Sequence, residues 1–194
     1  MSRRMAIWIV LVATLVIAAW ALLVLVPRVF TPQPVADAGV PAPAAQPQRK
    51  ITATLYYIAE DGMALVGAKR EVPFAEPVSE QARHIVEAQL GAAEPPLAAA
   101  VPAGTTLRGL FISERGDAFV DLSPEVSTRH TGGALDELFT VYAIVNALTV
   151  NLPAIARVQI MVNGQEVDTL AGHVDLRHPL QKSLKWLAGQ EAEQ

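Results

Sequence analysis

The sequence predicts an α+β domain with two layers, a mostly antiparallel sheet and two main helices packed on one face of that sheet. Residues 157–170 alternate between apolar and polar around Asn163-Gly164, the dipeptide typical of a two-residue hairpin turn. Residues 135–148 carry apolar side chains at intervals of three and four, which is the period of an amphipathic helix. Residues 107–123 alternate as a second hairpin.

A further hairpin and a further helix precede these elements. Residues 51–58 are rich in β-branched and aromatic side chains, Asp61-Gly62 marks a turn, and residues 63–74 are predicted to return as the partner strand. Apolar residues at helical spacing within 82–90 predict a helix that ends at Gly91. The predicted order over residues 51–180 is therefore hairpin, helix, hairpin, helix, hairpin.

The Asn-Gly turn also predicts the register of the last hairpin. A two-residue loop pairs Val162 with Gln165, Ile160 with Val167, and Val158 with Thr169. These pairs share one face of the sheet. Gln159, Glu166 and Asp168 then lie on the other face with Met161, which predicts a sheet that is covered on one side only.

Composition limits the chemistry that is available to this chain. It contains no cysteine, which excludes disulfides, thiolate zinc sites, a cysteine nucleophile and a lipid-modified cysteine anchor. Beyond Pro27 there are 13 basic and 19 acidic residues, a net charge of −6. Because phosphate binding depends on Lys and Arg, this balance argues against nucleic acid as a partner.

Residues 5–26 are predicted to be a transmembrane signal-anchor helix. They contain no charge and span roughly 33 Å as a helix, enough to cross the core of a bilayer. Arg3 and Arg4 place residues 1–4 in the cytoplasm and the remainder of the chain outside. The alternative is a cleaved signal peptide, with candidate sites around Trp20 and Asp37, but the apolar run is longer than a usual signal core.

The segments on either side of the domain are predicted to play supporting roles. Residues 27–50 contain six prolines, which favours an extended spacer of about 3 Å per residue between membrane and domain. Residues 181–194 form a tail in which Trp186 lies among lysines. A short helix that closes a sheet edge is predicted there, with contact to the membrane surface as the alternative.

The polar residues that first draw attention are His173 and Asp175. Imidazole and carboxylate groups together suit a zinc ion or a general base. In an extended chain His173 and Asp175 share one face and His178 lies on the other, so the ligand set is incomplete. We therefore expect no metal, and we expect His173 and Asp175 to hydrogen-bond loop backbone.

Asp121, Ser123 and Asn146 complete the set of candidate polar residues. No G-x-S-x-G motif surrounds Ser123, and the pattern D-L-S-P is typical of a closed turn or a helix cap. Asn146 lies beside the apolar stripe of its helix, so its amide is expected to bond sheet or loop backbone. Since no nucleophile, base and orienting group occur together, the sequence predicts neither an enzyme nor a cofactor.

Three strings resemble the GerMN domain family of bacterial sporulation and spore germination proteins: AFVDLSPEV, ELFTVYAIVNALTVNLPAIARV and MVNGQEVDTLAGHVDLRHPL. The motifs VDLS, I-V-N-A-L-T, V-N-G and L-x-G-H-x-D-L match in order over residues 118–180, and the likeness extends more weakly back to Ile51. The resemblance implies an extracytoplasmic α+β module, tethered by a lipoprotein cysteine or an N-terminal helix. It also implies protein–protein packing like that of ring-building modules, and it supplies no catalytic residues.

These observations lead to two functional hypotheses. The first is a non-enzymatic interaction module, held outside a bacterial cytoplasmic membrane by residues 5–26. It is expected to contact envelope proteins or a second copy of itself through exposed sheet edges and the uncovered sheet face. The alternative is a protein that binds peptidoglycan or another cell-wall ligand through polar residues near His173 and Asp175. A hydrolase is the least favoured class.

Overall fold

The computed structural model describes residues 13–17, 19–20 and 49–189 of the 194-residue chain. The chain divides into two units, residues 1–46 and 47–194. In the first unit, residues 13–17 and 19–20 are helical. Within the described residues, no helix is both long and apolar enough to cross a membrane. Most of the predicted 5–26 span, residues 1–4 and nearly all of the 27–50 linker lie outside the described residues.

The second unit has the α+β architecture that the sequence predicts. Its elements, in chain order, are β1 (Lys50–Ile58), β2 (Leu65–Pro73), α1 (Val78–Gln89), β3 (Leu107–Ile112), β4 (Asp117–Leu122), α2 (Glu125–Thr128), α3 (Ala134–Asn151), β5 (Arg157–Val162), β6 (Gln165–Glu166) and β7 (Leu180–Gln181). Helix α1 packs against α3, β1 and β3, whereas α3 contacts β1 and β5.

The strands form two sheets, which corrects the expectation of a single one. Strands β1 and β2 make an antiparallel pair of their own, and the second sheet has the order β3-β4-β5-β6 with β7 also paired to β5. Strands β4 and β5 are parallel, because the chain crosses over through α3 between them. The other pairs are antiparallel, so the second sheet is mixed.

The predicted last hairpin is much shorter than expected. Only Val162 with Gln165 and Met161 with Glu166 pair across the Asn-Gly turn. The predicted pairs of Ile160 with Val167 and of Val158 with Thr169 do not form, and β7 pairs with β5 instead, with Val158 opposite Leu180. The chain leaves β5 at this point because the backbone N–H groups of Leu170, Ala171 and His173 bind a carboxylate on α3.

The second sheet is also not open along the whole of its outer face. Gln159 was expected on the solvated face, yet only 2% of its surface is exposed. Its Nε2 donates a hydrogen bond to the backbone oxygen of Leu176 at 2.5 Å, and Leu176 is itself buried. The loop after β6 therefore covers β5, and the outer face stays open only toward β3 and β4.

Helix α3 is buried around most of its circumference, where a single apolar stripe was predicted. Phe139, Val145 and Leu148 of that stripe are fully buried, but so are Ala143 and Ala147 on the opposite side of the helix. A helix that is apolar all round is typical of the centre of a domain. Helix α3 therefore forms the centre of the core.

The described part of the tail contains no helix, contrary to prediction, although it does close a sheet edge. Leu187 forms a bridge with Leu65, the first residue of β2. The Leu65 N–H donates to the Trp186 oxygen at 2.8 Å, and the Ala188 N–H donates to the Leu65 oxygen at 2.9 Å. A helix would use these groups internally, so the bridge favours an irregular chain here.

Candidate functional site

The structure places Asp121 and Ser123 near each other in the chain but gives them separate partners. Asp121, on β4, accepts the Gly164 N–H at 2.7 Å through Oδ1 and thereby holds the β5–β6 turn. Ser123 Oγ accepts the Thr106 N–H at 3.0 Å. Its hydroxyl bonds the Glu125 carboxylate and holds the pKa of that group below its usual range. Both side chains close turns and loops.

Asn146 has no exposed surface, and its amide binds backbone as the sequence predicts. Its Nδ2 donates to the Ser183 oxygen at 2.7 Å, and its Oδ1 accepts the Ser183 N–H at 3.0 Å. The side chain therefore satisfies both backbone groups of one residue of the tail. This pair of bonds fixes the C-terminal segment to the centre of α3.

His173 lies against Glu137, a residue that sequence reasoning missed. Glu137 is in the first turn of α3 and is fully buried. Its Oε1 accepts the N–H groups of Leu170 at 2.8 Å and Ala171 at 2.9 Å, and its Oε2 accepts the His173 N–H at 2.7 Å. The His173 Nδ1 lies 3.1 Å from the same Oε2 and donates its proton to it. The L-x-G-H segment thus wraps a buried carboxylate.

The charge on Glu137 is stabilised by this loop. Burial by itself raises the pKa of Glu137, but the backbone N–H groups of Ala171, His173, Leu170 and Val174 outweigh it, so the pKa lies below its usual value. Successive N–H groups that converge on one anion are a recognised way to bind negative charge. Here the anion belongs to the protein, and the arrangement orders the loop.

Asp175 takes no part in these bonds to Glu137. Its two carboxylate oxygens accept hydrogen bonds from Nε and Nη2 of Arg177 at 2.9 Å and 2.7 Å. The Arg177 guanidinium holds the pKa of Asp175 far below its ordinary value. Both side chains are more than half exposed, so the pair is a surface ion pair.

The five candidate residues are not brought together. Asp121, Ser123, Asn146, His173 and Asp175 bind five different parts of the chain, and no hydrogen bond joins any two of these side chains. Among residues 13–17, 19–20 and 49–189, no three His, Cys, Asp or Glu side chains group together in a way that could hold a metal ion. The five residues organise loops.

A cavity of about 400 Å³ lies elsewhere, between the segment before β3 and the start of α3. Small residues from Ala99 to Ala103 form one wall, and the polar wall is formed by Arg129, His130, Thr131, Asp136 and Thr140. Hydrogen bonds tie the polar wall to its surroundings: Arg129 Nη1 donates to the Ala103 oxygen, and Thr131 Oγ1 donates to Asp136 Oδ2. Sequence reasoning did not identify this cavity, because its walls are distant in the chain.

His130 is fixed in one tautomer at the edge of this cavity. Its Nδ1 accepts the Gly132 N–H at 3.0 Å, so Nε2 carries the proton and donates it to Thr140 Oγ1 at 3.1 Å. The Thr140 hydroxyl in turn donates to the Ala100 oxygen at 2.5 Å. This chain of bonds holds the two walls of the cavity together.

The edges of the two sheets differ in how they are protected. On β1, the side chain of Asn151 bonds both backbone groups of Thr54, and the side chain of Gln89 bonds both backbone groups of Tyr56. Ile58 forms the next bridge along that edge, with Ala98. Two amide side chains and one bridge therefore occupy the positions that a neighbouring strand would take.

Strand β3 carries no such protection. It is the end strand of the second sheet, and among the described residues it pairs only with β4. Phe111 is 64% exposed, and its ring lies 6.2 Å from that of Phe119, its register partner on β4. A free edge beside the exposed Phe111, whose ring packs on the partly buried Phe119, is the feature of this domain that most resembles an interaction surface. The sequence signal was a large aromatic residue at an outward position of an alternating strand.

Fold and site together define a small α+β module whose buried polar side chains bind its own backbone and whose open surface is a sheet edge. The family model of Germane, described as sporulation and spore germination, matches residues 54–168, more than half of the chain. The chain belongs to this family, which confirms the resemblance seen in the sequence. No curated protein shows a significant match to the chain.

Two solved structures from Bacillus subtilis have a similar fold. The tandem GerMN domains of the sporulation protein GerM match with a TM-score of 0.53 and 24% identity, covering 69% of this chain and 45% of that chain. The first GerMN domain of the same protein matches with a TM-score of 0.53 and 22% identity, covering 68% of this chain and 97% of that chain. This chain thus spans less than half of the tandem structure and nearly all of the single domain.

Proposed function

We propose that this protein is a non-catalytic interaction module that contributes to an extracytoplasmic protein assembly. Three observations support the proposal. The candidate polar residues are engaged in holding loops, the outer face of β3 and β4 is open and aromatic, and the fold is that of the GerMN domains of GerM, a sporulation protein. The single observation that carries it is the unprotected edge of β3 in a domain whose β1 edge is blocked by side chains.

The proposal includes residues 5–26 as a membrane anchor, with the domain held outside a bacterial cytoplasmic membrane. Its support is the charge-free run behind Arg3 and Arg4 and the proline-rich stretch that follows. Protease treatment of intact spheroplasts tests the topology. Degradation of the domain in intact spheroplasts is expected, and its protection there would contradict the predicted orientation.

The test of the interaction is direct. Full-length protein in a mild detergent is examined by analytical ultracentrifugation, and cross-linked complexes from intact cells are identified by mass spectrometry. The proposal predicts either self-association or a reproducible envelope partner. A monomer at high concentration together with no cross-linked partner would contradict it.

A second candidate function is favoured by the cavity at the start of α3. Its wall of small residues would accept short aliphatic side chains, and Arg129 and Asp136 would bind the carboxylate and ammonium of a short peptide such as those of peptidoglycan. Co-sedimentation with purified peptidoglycan tests it, with Asp136→Ala expected to weaken pelleting. If the wild-type protein does not pellet with peptidoglycan, this second candidate function is contradicted.

A further inference from the structure

We infer that two copies of this chain pair through β3 as antiparallel strands, with Phe111 of one copy opposite Phe111 of the other. The inference rests on the proposed function, because it names the strand and the partner for that interaction surface. In an antiparallel ladder, alternate residues bond the neighbouring strand and the others point their N–H and C=O away.

The pairing of β3 with β4 settles which backbone groups are free. The Ser113 N–H donates to the Asp117 oxygen at 2.9 Å, and Phe111 lies opposite Phe119 in the same register. By alternation, residues 113, 111 and 109 bond β4, whereas Leu110 and Ile112 direct their backbone groups toward the open edge. In an antiparallel dimer, Leu110 of each copy pairs with Ile112 of the other copy. Each of these two pairs then satisfies all four of its N–H and C=O groups.

This register uses the regular part of the strand. The register with β4 shifts between Leu107 and Gly109, so Arg108 lies at a bulge. A pairing centred on Leu110 would place that bulge opposite Ile112, whereas a pairing centred on Phe111 involves only residues 109–113. At the centre, the two Phe111 residues form a non-hydrogen-bonded pair, in which the Cα atoms are about 4.5 Å apart.

The strand is complementary to itself in packing and in charge. Phe111 already packs against Phe119, so the pairing creates a row of four aromatic rings across one continuous sheet. Arg108 is the only charged residue of β3, and it is engaged within its own copy by Asn163 and Asp121. The pairing therefore brings no unpaired like charges together. Strand β2, in contrast, carries Lys69 and Glu71 beyond its bridge at Leu65. Charges of this kind protect a sheet edge.

The absence of cysteine from the chain makes a clean test possible. Phe111→Cys is introduced into the full-length protein in a mild detergent, and disulfide formation is followed with a mild oxidant. Met63→Cys is the matched control, since Met63 is an equally exposed apolar residue on the β1–β2 turn, 69% exposed. We expect a disulfide-linked dimer to accumulate at least tenfold faster from position 111 than from position 63. Equal rates would overturn the inference.

Two further variants separate the possible failures. Leu110→Cys reports the alternative register, and a fast dimer from position 110 with none from 111 would refute the Phe111-centred pairing. Phe111→Lys is expected to raise the dissociation constant of the dimer at least tenfold, whereas Met63→Lys leaves it unchanged. If the protein self-associates but Phe111→Lys leaves the dissociation constant of the dimer unchanged, the pairing through β3 is wrong and the proposed function stands. If it neither self-associates nor captures a partner, both fail.

Discussion

The carboxylate of Glu137 accepts the backbone N–H of His173 at 2.7 Å, and this bond joins the first turn of α3 to the loop after β6. Together with the bonds to Leu170 and Ala171, it gives the conspicuous L-x-G-H segment a physical role. A buried charge is costly unless several donors satisfy it, and here the loop provides them. In the sequence, this segment is the one that most suggests a metal or catalytic site. In the structure, it surrounds the buried carboxylate of Glu137.

Replacing Glu137 should therefore destabilise the whole domain. Glu137→Gln retains the shape but turns an amide N–H toward the loop donors, so the free energy of unfolding is expected to fall by about 3 kcal/mol. Urea unfolding measures the change, and the exposed Glu166→Gln is the matched control, expected to lie within about 0.5 kcal/mol of wild type. A Glu137→Gln protein as stable as wild type would contradict this role.

The same carboxylate predicts a pH dependence. The folded pKa of Glu137 lies below its ordinary value of 4.5, so the unfolded chain binds this proton more readily than the folded one. The stabilisation is fully present above pH 4.5 and is lost as the pH falls through the folded pKa. The difference in unfolding free energy between wild type and Glu137→Gln should therefore shrink below pH 4.5. A difference that stays constant down to pH 3 would contradict the assignment.

Asn146 is expected to hold the C-terminal segment in place. Asn146→Ala leaves the N–H and the oxygen of Ser183 without their partner, which should cost about 2 kcal/mol of stability. Amide hydrogen exchange should speed up in residues 183–188 more than in α3 itself. Lys182→Ala, at an exposed neighbouring position, is the control and should leave exchange unchanged. If residues 183–188 exchange at the same rate in Asn146→Ala as in the wild type, this role is refuted.

Gly116 is required in the β3–β4 turn for two reasons. Its φ is +81°, and a Cβ atom there would lie 2.7 Å from the Ala154 oxygen. Gly116→Ala is therefore expected to destabilise the domain by about 3 kcal/mol, the sum of backbone strain and displacement of the 154–156 segment. Gly62→Ala shares the positive φ of +72° but meets no atom within 4 Å, so it should cost only about 1 kcal/mol. Thermal melting of both variants measures the difference.

The sequence predicts elements well where one local signal decides them. Asn163 and Gly164 both adopt positive φ at their turn, as the Asn-Gly dipeptide requires. The strand alternation in 107–123 and the helical period in 135–148 likewise correspond to β3, β4 and α3. Each of these signals lies within a few residues of the structure that it specifies.

What the sequence does not predict depends on contacts between distant residues. The last hairpin is cut short because Glu137, more than thirty residues away, binds the chain after β6. The first hairpin stays a separate sheet because Gln89 and Asn151 occupy the edge of β1. One signal for Glu137 was available: it lies four residues before the buried Val141 on the same side of α3, where an acidic residue needs a partner.

The central claim is that this domain works by offering its β3 surface to a protein neighbour. The most direct measurement places a photoreactive amino acid at position 111 or, as control, at position 63, in the full-length protein in intact cells. The account predicts discrete protein adducts from position 111, including a dimer of the chain, and only background from position 63. Equal yields from the two positions, or no protein adduct from position 111, would contradict it.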